Sequence, residues 1–221
     1  MVNFKRLKAV IWDMDGVLVN SEATHQETWR ATFEKFNLPI HPERLKRSFG
    51  MTSEMVVKMM VDAPLSEETL TAITQEKSRS FQQAIKDKAV IFPGVLGWLE
   101  TFKRNHIRQA VASSGRAENI RIILESLAIT DFFDVIVDGE GLPSKPEPFI
   151  FHKTADLLDV NPLHCLVIED SAAGITAAKA AGMVCVAVAT TSPADQLKEA
   201  DHVIDNLAQL MNQDVQALFS R

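Results

Sequence analysis

One stretch near the N-terminus constrains the fold of this chain more than any other. Residues 9–12, Ala-Val-Ile-Trp, are apolar and lead directly into Asp13, and Asp15 and Gly16 follow after one intervening residue. A short apolar run with β-branched members predicts a buried strand, and strands buried on both faces belong to parallel sheets covered by helices. Two carboxylates this close repel each other unless a cation lies between them, so the pattern favours a divalent metal ion.

The second half of the chain alternates between strand and helix patterns. After the predicted first strand, further strands are predicted at 107–112, 133–137, 165–168, 184–188 and 202–204. Helices are predicted between and after them, at 95–103, 117–127, 147–158, 172–181 and 207–219. Repeated βα units predict an α/β fold with a doubly wound parallel sheet and right-handed crossovers.

The segment between the first and second predicted strands has helix patterns only. We therefore predict an all-α helical cap domain at residues 19–89, inserted into an α/β core domain formed by residues 1–18 and 90–221. Two linkers, near residues 17–21 and 86–93, would join the two domains. A cap joined in this way can close over a site by a hinge motion.

Polar side chains collect where the predicted strands end. These side chains belong to Asp13, Asp15, Ser113, Ser114, Glu169 and Asp170, and Lys145 lies in a loop that leads into a helix. In open α/β sheets, ligands bind at the carboxyl ends of the strands. The sequence therefore predicts that these residues form one site.

The residue types in this group fit metal-assisted phosphate chemistry. Carboxylates at Asp13, Asp15, Glu169 and Asp170 suit Mg²⁺, although Glu169 can equally be a partner that orients a ligand. Ser113 and Ser114 precede a helix, so their hydroxyl and backbone N–H groups can hold a phosphate, to which Lys145 adds a positive charge. Asp13 ends the strand, and we assign it the role of nucleophile. Asp15 lies beyond the turn, and we assign it the role of general acid and base.

The same residues resemble the four ordered motifs of the haloacid dehalogenase superfamily. The motifs correspond to Asp13-Met-Asp15-Gly-Val-Leu, Ser113, Lys145-Pro and Glu169-Asp170-Ser-x-x-Gly, and residues 19–89 resemble the small α-helical cap of that family. The resemblance implies a Rossmann-like core and an aspartyl-phosphate on Asp13, with Asp15 as acid and base. It also implies Mg²⁺ held by Asp13, the Asp15 backbone carbonyl and the acids of the fourth motif, with Ser113 and Lys145 on the phosphoryl group.

Within that superfamily the chain is most similar to the β-phosphoglucomutase and sugar-phosphate phosphatase branch. His25 and Lys77 lie where mutases carry a cap-hinge residue and a cap lysine that face the substrate, although either can be an ordinary helix residue. Mutases also carry a cap-loop Arg that holds a distal phosphate, whereas residues 49–54 read Phe-Gly-Met-Thr-Ser-Glu. Arg116 can supply part of that grip or lie exposed at a helix start.

Composition excludes several other classes of protein. The formal net charge of −6 provides no basic surface for nucleic acid or an anionic membrane. No apolar run approaches the ~18 residues that span a bilayer, and the N-terminus lacks the apolar region of a signal peptide. Cys165 and Cys185 lie in apolar runs without metal-ligand spacing, so we expect reduced thiols in a cytoplasmic protein, and nothing demands more than a monomer.

These observations favour a Mg²⁺-dependent phosphatase that hydrolyses small phosphomonoesters, in particular sugar phosphates, through an aspartyl-phosphate. A phosphohexomutase similar to β-phosphoglucomutase is the alternative, and the missing cap-loop Arg weighs against it. A receiver-type signalling domain also uses carboxylates, Mg²⁺, Ser or Thr, and Lys at the edge of a parallel sheet. The acid pair on the first strand and the helical insertion oppose that third hypothesis.

Overall fold

The structure is a computed structural model that describes residue 4 and residues 6–220. The outermost residues of the two predicted core segments, 1–3, 5 and 221, lie outside the described residues. Within the described residues, six strands form one sheet: β1 Ala9–Trp12, β2 Arg108–Ser113, β3 Val135–Asp138, β4 Cys165–Glu169, β5 Val184–Val188 and β6 His202–Ile204. The spatial order is β3-β2-β1-β4-β5-β6, and every pairing is parallel. The predicted α/β fold with a doubly wound parallel sheet is confirmed.

Helices surround the sheet and form the insertion after β1. The four helices of the insertion are α1 Glu22–Lys35, α2 Pro42–Arg47, α3 Ser53–Met60 and α4 Glu67–Lys88. The helices between and after the remaining strands are α5 Val95–Arg104, α6 Ala117–Ser126, α7 Phe149–Leu157, α8 Ala172–Ala180 and α9 Asn212–Leu218. No helix in the described part of the chain is both long and apolar enough to cross a membrane.

The side chains of β1 point alternately to the two faces of the sheet, and each face has its own apolar core. Val10 and Trp12 pack into one apolar cluster, and Ala9 and Ile11 pack into the other. Successive strand residues point to opposite faces, so a strand covered by helices on both sides must be apolar throughout. This requirement explains why the apolar run ends only where the sheet ends, at Asp13.

The inserted helices have an apolar cluster of their own, which includes Trp29, Phe33 and Ile73. Farther along α4, Phe81 and Ile85 belong instead to the sheet cluster that contains Val10 and Trp12. The two connecting segments run side by side, because Asn20 N–H donates to the Val90 carbonyl at 2.9 Å. Helix α4 therefore packs against both apolar clusters.

Two helices begin later than their patterns predict. The last helix starts at Asn212 and not at residue 207, since residues 207–210 form a turn whose buried Leu207 carbonyl accepts a hydrogen bond from the Trp98 indole at 3.0 Å. Helix α7 starts at Phe149 and not at residue 147, because Pro146 and Pro148 precede it. At the last helix, the apolar pattern of residues 207–210 therefore continues through non-helical backbone.

Candidate active site

Three acidic side chains meet where β1 and β4 lie side by side. Trp12 pairs with Ile168 in the sheet register, so Asp13 and Glu169 emerge next to each other, and Asp170 follows. Oxygen atoms of these three carboxylates lie within 4.8 Å of one another, and all three residues are buried. The strand order reverses at β1, the position where α/β sheets bind ligands.

Lys145 closes one side of this acidic group. Its Nζ donates to Asp13 Oδ1 at 2.5 Å and also to Glu169 Oε1. Burial lowers the pKa of Lys145, but the carboxylates of Asp13 and Glu169 outweigh it and hold the pKa above its ordinary value. Lys145 therefore remains a cation in contact with the predicted nucleophile.

Glu169 is fixed by the start of α8. Its Oε2 accepts hydrogen bonds from the backbone N–H groups of Asp170 and Ser171, at 3.0 and 3.2 Å, and from Ser171 Oγ at 3.0 Å. A Cβ atom on Gly174 would lie 2.0 Å from the Glu169 carboxylate, so only glycine leaves room for it. With Oε1 bound to Lys145 as well, Glu169 is oriented from both sides.

The charge balance of the group fits a bound divalent cation. Burial raises the pKa of Asp13 to about 8, because the nearby Lys145 only partly offsets the effects of burial and of Glu169. Burial, followed by repulsion from Glu169 and Asp13, raises the pKa of Asp170 well above its usual value. Buried carboxylates ionise together only when a cation compensates them, and a group of hard oxygen donors matches Mg²⁺.

Two threonines that the sequence analysis did not single out support this group. Thr191 Oγ1 donates to Asp170 Oδ2, and Thr190 Oγ1 donates to the Gly16 carbonyl. Gly16 has φ +90°, and a Cβ there would lie 2.0 Å from Asp170 Oδ2. Both threonines follow the carboxyl end of β5, so the strand-end rule that selected the other residues would also have found them.

Asp15 is held outside the acidic group by a chain of polar contacts that reaches into the insertion. Its Oδ1 accepts from Ser21 Oγ and lies 3.3 Å from His25 Nε2. His25 Nδ1 in turn lies 2.8 Å from Nζ of Lys77, which is buried on α4. Ser21 precedes α1 at the N-cap position, but its side chain makes no capping hydrogen bond because the hydroxyl is engaged by Asp15.

This chain of contacts shifts the ionisation of all three titratable groups. Burial lowers the pKa of Lys77 to about 7. Burial and then the charge of Lys77 lower the pKa of His25. Burial acts to raise the pKa of Asp15, but His25 and Ser21 more than compensate, so the net shift is downward. Asp15 is therefore ionised at neutral pH and ready to accept a proton.

A cavity lies between the strand ends and the inserted helices. The predicted site residues that line it are Asp13, Asp15, His25, Lys77, Ser113, Ser114 and Arg116. Ser113 is buried and its Oγ accepts from the Gly115 N–H at 3.0 Å, whereas Arg116 lies 3.4 Å from Glu140 in an ion pair. The structure thus brings the predicted catalytic, phosphate-binding and substrate residues to one cavity, with Lys145, Glu169 and Asp170 grouped at Asp13.

Comparison with known proteins assigns the family. A family model described as haloacid dehalogenase-like hydrolase matches residues 10–188. This chain belongs to the haloacid dehalogenase-like hydrolases. The resemblance inferred from the four motifs is confirmed, and the matched segment runs from β1 to the end of β5.

Individual relatives of this hydrolase are phosphate-ester enzymes. It is 34% identical over 195 residues to a β-phosphoglucomutase of Bacillus subtilis, and the match covers 85% of each protein. It is 31% identical over 182 residues to a phosphorylated carbohydrates phosphatase of Thermotoga maritima, covering 80% of this chain and 82% of that protein. The crystal structure of β-phosphoglucomutase from Clostridium difficile superposes with a TM-score of 0.87 at 30% identity, covering 96% of this chain and 97% of that one. The chain is an enzyme of this phosphatase and phosphomutase family.

Proposed function

We propose that this hydrolase removes the phosphoryl group from small phosphomonoesters, in particular sugar phosphates, with Mg²⁺ and through an aspartyl-phosphate on Asp13. The observation that carries the proposal is the placement of Asp13. It contacts Lys145, lies with an oxygen within 4.8 Å of two further buried acids, and lines the same cavity as Asp15. A carboxylate attacks a phosphate dianion only where cations neutralise the approaching charge. The relatives that act on phosphorylated carbohydrates support sugar phosphates as the substrate class.

In the first step, a carboxylate oxygen of Asp13 attacks phosphorus, and the bond between phosphorus and the ester oxygen breaks. Lys145 and the hydroxyls of Ser113 and Ser114 hold the transferring group. Asp15 gives its proton to the departing alkoxide. A phosphate dianion beside Asp15 raises the pKa of that carboxyl group, so Asp15 can take up this proton from solvent when the substrate binds.

In the second step, Asp15 accepts a proton from water, and the water oxygen attacks phosphorus. The bond between Asp13 and phosphorus breaks, which releases inorganic phosphate and regenerates the carboxylate. The lowered pKa of Asp15 suits this half of the cycle, because the residue must be ionised when water arrives. The contacts from Ser21 and His25 orient the carboxylate for the transfer.

Asp13 and Asp170 would hold the Mg²⁺ ion through their side chains, together with the backbone carbonyl of Asp15. Glu169 has both oxygens engaged, by Lys145 and by the start of α8, which favours a role in orienting those neighbours. When bound, Mg²⁺ neutralises the carboxylates and the phosphate and so lowers the barrier to attack.

We also propose that residues 19–89 act as a cap that closes over the substrate. His25 of the insertion contacts Asp15 of the core, and Lys77 of the insertion contacts His25. The contact with Asp15 forms only when the cap is close to the strand ends. The packing of Trp29 in the apolar cluster of the insertion offers a reporter. Trp29 fluorescence is expected to change when Mg²⁺ and fluoroberyllate are added together, and insensitivity to that mixture would count against closure.

A phosphohexomutase remains the second candidate because of the similarity to β-phosphoglucomutase. A mutase must hold a bisphosphate at both ends. In the described residues, the cations lining the cavity are Lys77, which contacts His25, and Arg116, which pairs with Glu140. This limited positive charge favours a substrate with a single phosphate and therefore hydrolysis.

A screen of hexose 1-phosphates and hexose 6-phosphates tests the two candidates together. Free phosphate and isomer formation are followed in parallel, with Mg²⁺ and with EDTA. We expect Mg²⁺-dependent phosphate release that is lost in Asp13→Asn, while the circular dichroism spectrum of the variant stays unchanged. Isomer formation with little free phosphate would instead establish the mutase, and substantial release by Asp13→Asn would disprove the assigned nucleophile.

A further inference from the structure

A buried amide on the core side of the cavity is held by the cap. Asn119 lies on α6, is 7% exposed and lines the cavity. Its Oδ1 accepts hydrogen bonds from Ser78 Oγ at 2.9 Å and from Gln82 Nε2 at 3.0 Å, both on α4. Gln82 Nε2 also donates to Ser78 Oγ at 3.1 Å, so the three side chains form a closed ring of hydrogen bonds.

This ring determines which atoms of the Asn119 amide are available to hydrogen-bond a ligand. With Oδ1 turned towards α4, the two N–H groups of Nδ2 are the remaining donors. Within the described part of the chain no acceptor contacts Nδ2, and the atom is not sealed off from the cavity. Two other neutral groups of the cavity wall do have partners: Ser48 Oγ donates to the Leu45 carbonyl at 2.8 Å, and Gln26 donates to Glu22 at 2.9 Å.

A largely buried donor without a partner is energetically costly, so the site favours a ligand that brings a hydrogen-bond acceptor to it. The phosphoryl group is proposed to lie at the strand ends, on Ser113, Ser114 and Lys145. Asn119 lies instead at the rim where α6 meets the cap helix α4. The acceptor that it would meet is therefore an oxygen of the alcohol part of the ester.

We propose that Asn119 is a specificity residue that donates a hydrogen bond to a hydroxyl or ring oxygen of the substrate and so selects sugar and polyol phosphates over alkyl phosphates. This inference rests on the proposed phosphatase function and names the feature of the alcohol that the enzyme recognises. A site built to hydrogen-bond a hydroxyl discriminates against an analogue that lacks it, because the buried donor is then left unpaired.

The proposal also links recognition to cap closure. Ser78 and Gln82 orient the amide only while α4 lies against α6, since both partners belong to the inserted segment and Asn119 belongs to the core. The donor is thus fixed in the closed arrangement alone. Substrate selection and closure would occur in the same step.

The test compares two six-carbon monoesters, glucitol 6-phosphate, which is rich in hydroxyls, and n-hexyl phosphate, which has none. Asn119→Asp keeps the Oδ1 acceptor for Ser78 and Gln82 but removes the Nδ2 donor, and Asn119→Leu removes both. We expect kcat/KM for glucitol 6-phosphate to fall about tenfold more than kcat/KM for hexyl phosphate in both variants, which corresponds to about 1.4 kcal/mol. Using the ratio of kcat/KM for the two esters removes the general effect of the new charge in Asn119→Asp, because that charge affects both esters.

Two further variants separate recognition from structure. Ser78→Ala does not alter the cavity wall but loosens the amide, so we expect a selective loss of about two- to fivefold for glucitol 6-phosphate. Glu125→Gln changes an exposed residue of α6 six positions beyond Asn119, and it should leave the ratio of kcat/KM for the two esters unchanged. If Asn119→Leu fails to fold, Asn119→Asp with its isosteric side chain still provides the measurement.

Each outcome decides the proposal. Equal losses for both esters in Asn119→Asp, or no loss for either, would overturn the role of Asn119 while leaving the phosphatase function in place. Failure of the wild-type enzyme to release phosphate from either ester with Mg²⁺ present would overturn the function and the inference together. A selective loss in Asn119→Asp and in Ser78→Ala, with the ratio of kcat/KM retained in Glu125→Gln, supports the proposal.

Discussion

Alanine substitution at two helix glycines is expected to change stability in opposite directions. Gly97 and Gly174 are each the third residue of their helices, α5 and α8. Alanine is the better helix former by up to about 1 kcal/mol, so propensity alone predicts that both variants are stabilised. A Cβ built on Gly97 meets no atom within 4 Å, whereas one built on Gly174 lies 2.0 Å from Cδ and Oε1 of Glu169.

The size of the effect follows from these contacts. Gly97→Ala should raise the free energy of unfolding by up to about 1 kcal/mol and the melting temperature by roughly 2–4 °C. In Gly174→Ala, the Glu169 carboxylate must move by more than ~1 Å, which costs about 1–3 kcal/mol in overpacking. The movement also weakens its charge-assisted hydrogen bonds with Lys145 and Ser171, at roughly 1.5–3 kcal/mol each. The net loss should be at least ~2 kcal/mol, or a fall of roughly 4–8 °C.

Thermal unfolding of both variants beside the wild type, in the same EDTA-containing buffer, measures these shifts. Calorimetric titration with Mg²⁺ adds a second reading, since displacement of Glu169 should also weaken ion binding in Gly174→Ala but not in Gly97→Ala. Equal stabilisation of the two variants would refute the close approach of Gly174 to the carboxylate. It would also remove the physical reason for a glycine in the fourth motif.

Three other substitutions test the contacts around the site. Thr191→Val removes the hydroxyl that donates to Asp170, so calorimetry should give a Mg²⁺ affinity about 10-fold weaker than that of the wild type. Thr191→Ser, which keeps the hydroxyl, should bind Mg²⁺ like the wild type. An unchanged affinity in Thr191→Val would contradict this role. Lys77→Met removes a lysine whose pKa is lowered by burial from 10.5 to about 7. Between pH 7 and pH 10.5 the lysine of the wild type is therefore protonated in the unfolded state but mostly neutral in the folded state. The free energy of unfolding of the wild type should rise with pH over this range. Urea unfolding should show the wild type gaining on Lys77→Met between pH 7 and pH 9 by at most ~1.4 kcal/mol per pH unit, and a constant difference would disprove the shift. Ser21→Ala removes a hydrogen-bond donor to Asp15, which should raise the pKa of Asp15 and move the acid limb of the pH–rate profile to higher pH. An acid limb at the wild-type pH would show that Ser21 does not influence Asp15.

Much of the fold could be predicted from the sequence because its signals are local. The apolar run before Asp13, the strand and helix alternation after residue 92, and the absence of strand patterns in the insertion each need only neighbouring residues. The order of strands in the sheet is not local. Only the placement of β4 beside β1 brings Glu169 and Asp170 to Asp13. That meeting was indicated by the strand-end rule and by the family resemblance, not by periodicity.

The residues that the sequence did not reveal are those whose partners lie far away along the chain. Ser21 is the N-cap residue of α1, where Ser is common, and Asn119 lies in the first turn of α6, so their local setting suggested nothing more. Their side chains instead bind Asp15 and helix α4. Thr191 differs from them, because its position after β5 was visible and only its contact with Asp170 was not.

The predicted functional roles go beyond what position alone can establish. His25 and Lys77 reach the cavity as expected, but His25 contacts Asp15 and Lys77 contacts His25, which supports the proposal that they act on the acid and base. Arg116 lines the cavity and pairs with Glu140, so its part in substrate binding is still a prediction. Chemistry at Asp13 is the claim on which the other roles depend.

Rapid quenching of single turnovers with a ³²P-labelled aryl phosphate tests that claim most directly. An aryl leaving group needs little help from an acid, so Asp15→Asn should still form the phosphoenzyme but hydrolyse it slowly, because no base activates the water. We predict hydroxylamine-sensitive label on Asp13 that accumulates in Asp15→Asn and is absent from Asp13→Asn. Mg²⁺-dependent turnover without any protein-bound label, or label on a residue other than Asp13, would contradict the account.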